Sequence, residues 1–229
     1  MIAIPNLMQA NLDFSYFWNF SEAEDEIRKA SALDPNSAYA HELFCWIQIS
    51  KGRTEEGLDE CRRALELDPL SPMNNFALAD EYFNARQYSK AIEQANKTLE
   101  INPNSLEALA VLGHTYEQLG DYKQAINEWV KEEQTAGHEA RAKELMHTFE
   151  TSGYPGYLRK TAKDCEAQGE YYNAAAKYAM LGEKDAAFAN LEKEFALHGV
   201  VDLNVDPKFD VVRSDPRFTD LLHRIGLPK

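Results

Sequence analysis

The residues of this chain equipped for chemistry are six histidines, three cysteines and a surplus of carboxylates, and their spacing decides which chemistry is open. The histidines are His41, His114, His138, His147, His198 and His223, and neither His-Glu-x-x-His nor Cys-x-x-Cys occurs. Zinc-type sites need such ligand spacings, so no metal site is expected. The 11 glycines are dispersed at turns, which leaves no glycine-rich phosphate loop, and no Gly-x-Ser-x-Gly elbow is present. Glu55-Glu56 and Glu132-Glu133 read as charges on helix surfaces rather than as an acid–base pair. No catalytic constellation emerges, and neither an enzyme nor a cofactor is expected.

The elements behind these residues repeat. In residues 106–137, Leu109, Leu112-Gly113, Tyr116, Gly120, Tyr122, Ala125 and Trp129 sit at fixed offsets, a pattern for two helices joined by a tight turn at Leu119-Gly120-Asp121. A period of 34 carries Gly137 back to Pro103, Pro69 and Pro35, and Ala125 back to Ala91, Gly57 and Ala23. Trp129 steps back to Ala95, Cys61 and Ile27, and Tyr122 to Tyr88, Thr54 and Phe20. Ser105, Ser71 and Ser37 keep the same phase, each two residues past a proline. This resembles the tetratricopeptide repeat (TPR), and the resemblance implies an all-α fold, an α-α superhelix of about six helical hairpins.

Taken in order, residues 1–137 hold four regular 34-residue units. The first has helices of about 5–15 and 21–33, joined by the aromatic turn Phe17-Trp18-Asn19-Phe20, where later units carry Gly52, Arg86 or Gly120. Ser21 is the expected cap of the second helix. Asp34-Pro35, Asp68-Pro69 and Asn102-Pro103 stop second helices, because a residue before proline avoids the helical region. Ser37, Ser71 and Ser105 then fit as N-caps, with Pro72 at a first helical position. Residues 138–199 read as two divergent units. In the fifth, Ala142, Leu145-Met146, Phe149 and Gly153 are followed by Leu158, Ala162 and Cys165. Residues 200–229 read as a C-terminal cap over the open end of the superhelix, with a rival placement in the concave groove. Asp206-Pro207 and Asp215-Pro216 each pair a capping acid with proline.

The order of repeats, with Tyr178-Ala179-Met180-Leu181-Gly182 and then Phe209-Asp210-Val211-Val212-Arg213-Ser214-Asp215-Pro216-Arg217-Phe218, is similar to C-terminal TPR arrays of bacterial regulators. In those proteins the array follows a winged-helix DNA-binding domain or a serine/threonine kinase domain, and no such segment is present here. The early start of the first helix leaves open that the chain is part of something longer.

Acidic residues number 38 against 24 basic, net −14. That field disfavours nucleic acid. The N-terminus has no signal-peptide pattern and no stretch is long and apolar enough to span a membrane, so a cytoplasmic chain is expected. Cys45 and Cys61 occupy small-residue columns and read, with Cys165, as structural thiols in a reducing compartment. His41 occupies a repeat column and is expected to pack.

In TPR proteins, first helices line the concave face. Carried onto this chain, the resemblance places Tyr39, Glu42, Trp46, Ile49 and Ser50 there, then Met73, Phe76, Asp80, Phe83 and Asn84, then Glu107, Ala110, His114, Glu117 and Gln118. Chaperone-binding members clamp a carboxylate with Lys and Asn, but Glu42, Trp46, Ala77, Glu107 and Val111 stand at those columns, so that clamp is absent. The expected peptide-binding residues are Tyr39, Glu42, Trp46, Ile49, Phe76, Asp80, Phe83, His114 and Glu117. An aromatic groove with acidic edges suits a basic and apolar protein or peptide segment. The function expected is a non-catalytic protein–protein interaction module. The alternative is a regulatory or sensory arm of a larger transcription regulator or kinase. Self-association through Phe14, Tyr16, Phe17, Trp18 and Phe20 is a third possibility.

Overall fold

The computed structural model describes residues 4–199 and 202–227, and among them there are helices and no strand. Four hairpins come first: α1 (Ile4–Ser15) with α2 (Phe20–Leu33), α3 (Ala38–Ser50) with α4 (Thr54–Leu67), α5 (Pro72–Asn84) with α6 (Tyr88–Ile101), and α7 (Leu106–Gln118) with α8 (Tyr122–Thr135). There follow α9 (Glu139–Gln168), α10 (Tyr171–Met180), α11 (Lys184–Ala196), a 3-10 helix (Pro207–Val212) and α12 (Pro216–Ile225). The whole is an α-α superhelix.

The starts of the first helices follow the sequence. Ser37, Ser71 and Ser105 accept from the amides of Ala40, Asn74 and Ala108 at 3.3, 3.2 and 3.2 Å. Each bond satisfies one of the amides that a helix N-terminus leaves without an internal partner. α2 departs from expectation. It begins at Phe20, not Ser21, with Asn19 at the cap and no side-chain cap bond. Phe20 is buried edge-on against Phe14, ring centroids 5.9 Å apart, and that packing draws the ring into the first turn.

Between the helices of the first four hairpins, the column Trp18, Gly52, Arg86, Gly120 has left-handed backbone, with φ of 56°, 76°, 59° and 77°. Glycine adopts this region freely; Trp18 and Arg86 do so under strain. Along the hairpins, small columns let the helices approach. A Cβ at Gly113 would lie 2.3 Å from Trp129 Nε1.

α9 is a folded hairpin, not a rod. Arg141 reaches Asp164 at 2.6 Å and Lys160 reaches Glu144 at 2.8 Å, pairings that require the chain to reverse between them. The reversal is at Gly153 (φ 65°, ψ −176°), dividing 139–152 from 154–168.

Cys45 and Cys61 are joined in a disulfide rather than standing as free thiols. They occupy facing small columns of α3 and α4, with Cα atoms 5.3 Å apart, so the close approach that calls for small residues also sets disulfide distance. Cys165 is free and half-buried. His41 pairs with Glu60 through Nδ1 at 2.6 Å.

The C-terminal segment does two things. α12 lies on α11, burying Phe218, Leu221, Leu222 and Ile225 with Ala187, Phe188 and Leu191. Arg217 covers the Phe188 ring and bonds Asp185, while Arg224 covers Phe195 and bonds Glu192. Residues 202–213 instead run along the concave side of the first helices. Part of this segment, Leu203, Phe209 and Val212, shares one apolar cluster with Leu7, Phe14, Ile27, Leu43 and Ile47 of the first hairpins. At the far rim, Trp18 packs on Phe195 and His198, and Tyr16 stacks on His198 at 5.2 Å.

Candidate functional site

The concave face begins with α3. Tyr39 is exposed, its hydroxyl 3.4 Å from Asn11 Nδ2. Glu42 is buried, and burial pushes its carboxyl up to about 7. Trp46 is half-buried between two apolar clusters, and Ile49 is buried in one of them with Leu58, Ala77, Leu78 and Val205. Val205 belongs to the C-terminal segment.

That segment is held by side chains and backbone alike. Ser50 Oγ donates to Asp202 at 3.0 Å, and Asn204 Nδ2 donates to the Ser50 carbonyl at 2.6 Å. Arg86 donates through Nε and Nη2 to the two Asp210 oxygens at 3.0 and 2.6 Å, and through Nη1 to the carbonyls of Val205 and Asn84. Tyr172 of α10 donates to Asp206 at 2.9 Å, and its ring meets Phe209 edge-on at 5.1 Å. Arg213 secures the segment from within by donating to the carbonyls of Asn204 and Asp206. Asp206 caps the 3-10 helix and lies 3.2 Å from Lys208 Nζ.

Charge at this contact is lopsided. Burial, then repulsion from Asp202, push the Asp80 carboxyl up to about 7, against the pull of Lys208. Glu81 next to it is raised by burial, then by Asp80 and Asp202. Asp202 is itself raised by burial.

Beyond the segment, the remaining predicted residues form a ring-lined path. Phe76 and Phe83 join Val111 and Leu112 in the apolar layer between α5 and α7. Phe83 lies 6.1 Å from His114, which meets Trp129 at 5.6 Å. Burial lowers the His114 pKa, and its Nδ1 is 3.7 Å from buried Glu117. Glu117 in turn accepts from the Tyr154 hydroxyl. The nine predicted residues therefore divide. Trp46, Ile49 and Asp80 border the C-terminal segment; Phe83, His114 and Glu117 lead on toward the cavity, His114 and Glu117 within reach of the Lys208 charge of the segment; Tyr39, Glu42 and Phe76 touch no residue of the segment in the contacts just described.

Past His114 the groove opens into a cavity of about 680 Å³ between α7, α8, α9 and α10. His114, Trp129, Glu132, Arg141, Tyr157 and Lys177 line it. Trp129 and Tyr157 stack at 5.6 Å, nearly parallel. Burial and the neighbouring Glu133 push Glu132 up to about 7. Sequence reasoning missed this wall, because its period breaks after Gly137. It also missed Arg86, whose signal was a charged residue in a glycine column. Among the described residues no group of three His, Cys, Asp or Glu side chains could hold a metal, and no helix is long and apolar enough to cross a membrane.

Stacked helical hairpins around a concave face define the class of helical-repeat proteins, and comparisons narrow it. Residues 53–129 match the family model of subunit 3 of the anaphase-promoting complex, or cyclosome. The crystal structure of TTC0263, a thermophilic TPR protein in Thermus thermophilus, is 16% identical, with 86% of this chain and 98% of that chain covered and a TM-score of 0.55. YrrB, a TPR protein with an unusual peptide-binding site, is 19% identical over 98% of this chain and 92% of its own, with a TM-score of 0.48. MamA is 16% identical over 91% and 95%, with a TM-score of 0.49. No curated protein matches the chain. The fold is that of the tetratricopeptide-repeat proteins.

Proposed function

We propose that the chain is a protein–protein interaction module that takes a polypeptide segment along its concave face. One observation supports this reading: the face already holds a polypeptide segment, its own residues 202–213, a turn and a 3-10 helix held through backbone carbonyls, apolar sockets and charge. A surface that takes up backbone groups and several side chains together is built for a chain rather than for a small molecule. The residues assigned to recognition are Trp46, Ile49 and Asp80 in the covered stretch, with Phe83, His114 and Glu117 leading to the open cavity. Tyr39, Glu42 and Phe76 complete the set at its edges.

The alternative, a regulatory arm of a larger regulator or kinase, draws support from the same contact, since such an arm would have a segment of its own protein as ligand. The test is a footprint. A partner recovered with the purified chain is bound to it, and hydrogen exchange is mapped. Protection on α3, α5, α7 and α10 is expected; protection confined to the outer helices α2, α4, α6 and α8 would sink the reading.

A further inference from the structure

We propose that residues 202–213 are a displaceable occupant of the concave face. The partner that replaces them is a polypeptide segment with a lysine or arginine set beside apolar side chains. This rests on the concave face being an interaction surface, and it adds the partner's chemistry and the means of access.

The first ground is how the segment is held. Three residues other than glycine have left-handed backbone among the described residues: Trp18, Arg86 and His198. All three serve the C-terminal closure. Trp18 and His198 pack on each other with centroids 4.4 Å apart, and Arg86 grips Asp210 and the Val205 carbonyl. Gly52 and Gly120, one repeat either side of Arg86, make the same turn without strain. The left-handed φ at Arg86 belongs to the hairpin turn, as at Gly52 and Gly120, and that turn aims the guanidinium at Asp210 and the Val205 carbonyl, so much of the polar hold on the segment rests on one side chain.

The second ground is charge. Asp80 and Glu81 of α5 and Glu117 of α7 face a segment that brings two more carboxylates, Asp202 and Asp206. Lys208 is the ammonium it brings to them. The other polar groups at the contact are Ser50 of α3, His114 of α7 and Tyr172 of α10. Asp206 is well partnered by Tyr172, Lys208 and its capping bond. Asp202 has one neutral hydroxyl and opposes Asp80 and Glu81. Like charges opposed across an interface select against that occupant, and a cation at this position would select for another. The third ground is shape. Leu203, Val205, Phe209 and Val212 are buried from a turn and a 3-10 helix, and an incoming segment must present apolar side chains to the same sockets.

The experiment uses two labelled synthetic peptides, residues 202–214 with the native sequence and the same peptide with Asp202→Lys. Each is titrated by fluorescence anisotropy into the full chain and into its Arg86→Gly variant. The expected result is at least tenfold tighter binding of the Asp202→Lys peptide to both proteins, faster hydrogen exchange at 202–213 in the complex, and little net change of either affinity in Arg86→Gly, because segment and peptide lose the same Arg86 contacts. Equal affinity of the two peptides, no binding to either protein, or binding without release of 202–213 would each overturn the proposal. Binding that protects α8–α10 while 202–213 stays protected leaves the interaction reading standing and removes displacement. Folding of Arg86→Gly is checked by its circular dichroism and melting transition.

Discussion

Replacing Arg86 with glycine separates two effects that the structure sets against each other. The left-handed turn at φ 59° is relieved by about 1 kcal/mol when the side chain is removed. The same change deletes a two-pronged ion pair with Asp210, whose partners are 40% and 42% exposed, and a hydrogen bond to the Val205 carbonyl. At that exposure the ion pair contributes about 1 kcal/mol, and the hydrogen bond about 1 more. Residues 202–213 therefore lose about 2 kcal/mol of docking, roughly a thirtyfold rise in their open population. The whole chain loses only about 1 kcal/mol net, a fall of about 2–4 °C in melting temperature for a protein of this size. Hydrogen exchange of 202–213, read beside the melting curve, is the assay. A variant that melts higher than the parent and leaves 202–213 equally protected would refute the clamp, leaving only strain at the turn.

Three further outcomes follow from the same contacts. Asp80 has its pKa raised to about 7 when docked, so the docked state holds a proton that the released segment gives up near the ordinary value of 3.8. The Asp80 contribution to protection of 202–213 is therefore fully present below about pH 4 and declines as pH rises through about 7. The Asp210 carboxylate, which burial works to raise but Arg86 and Arg213 hold low, is lost only in stronger acid. A rise in protection between about pH 4 and 7 would contradict the linkage. Glu24 shows the opposite sign: burial works against it, but Arg53, Lys51 and Arg28 hold its carboxylate well below the ordinary range. Its contribution is present above about pH 4.5 and lost as pH falls. Glu24→Gln should cost about 2 kcal/mol in urea unfolding at neutral pH, the low side for a charge that leaves partly exposed partners behind. Removing the disulfide with Cys45→Ala and Cys61→Ala should cost about 3 kcal/mol, the scale for a loop of 16 residues. An unchanged urea midpoint would show that the link contributes nothing.

The hairpins were legible because each rests on local chemistry. Serine caps, proline stops and the column of turn residues act within a few positions of themselves, and the period of 34 makes them visible four times over. The start of α2 was misplaced by one residue because a buried ring, Phe20, outweighed a serine cap. The disulfide is set by a relation between two helices: Cys45 and Cys61 lie 16 residues apart with Cα atoms 5.3 Å from each other, and only the facing of their two small columns brings them together. The groove could be read only in part. Column positions say which side chains point inward, and Phe83 does, yet it is absorbed into the layer between α5 and α7. Nothing local told that Asp202, Val205 and Asp210 would meet Ser50, Ile49 and Arg86, more than a hundred residues away. The cavity lay beyond reach for a related reason. Its wall comes from α9 and α10, where the period lapses and the chain reverses at Gly153 without the usual turn.

The most direct test fixes the C-terminal segment in place. Ser50 Oγ and Asp202 Oδ1 are 3.0 Å apart, so Ser50→Cys with Asp202→Cys, in a Cys165→Ala background, places two thiols within the span of a short bifunctional thiol crosslinker that locks α3 to the segment. With the lock verified by mass spectrometry, the Asp202→Lys peptide is titrated against the locked chain and the parent under the same non-reducing conditions. Binding to the parent and at least a tenfold loss in the locked chain is the predicted result. Equal affinity for both would place recognition away from the face that residues 202–213 cover, and would contradict the account.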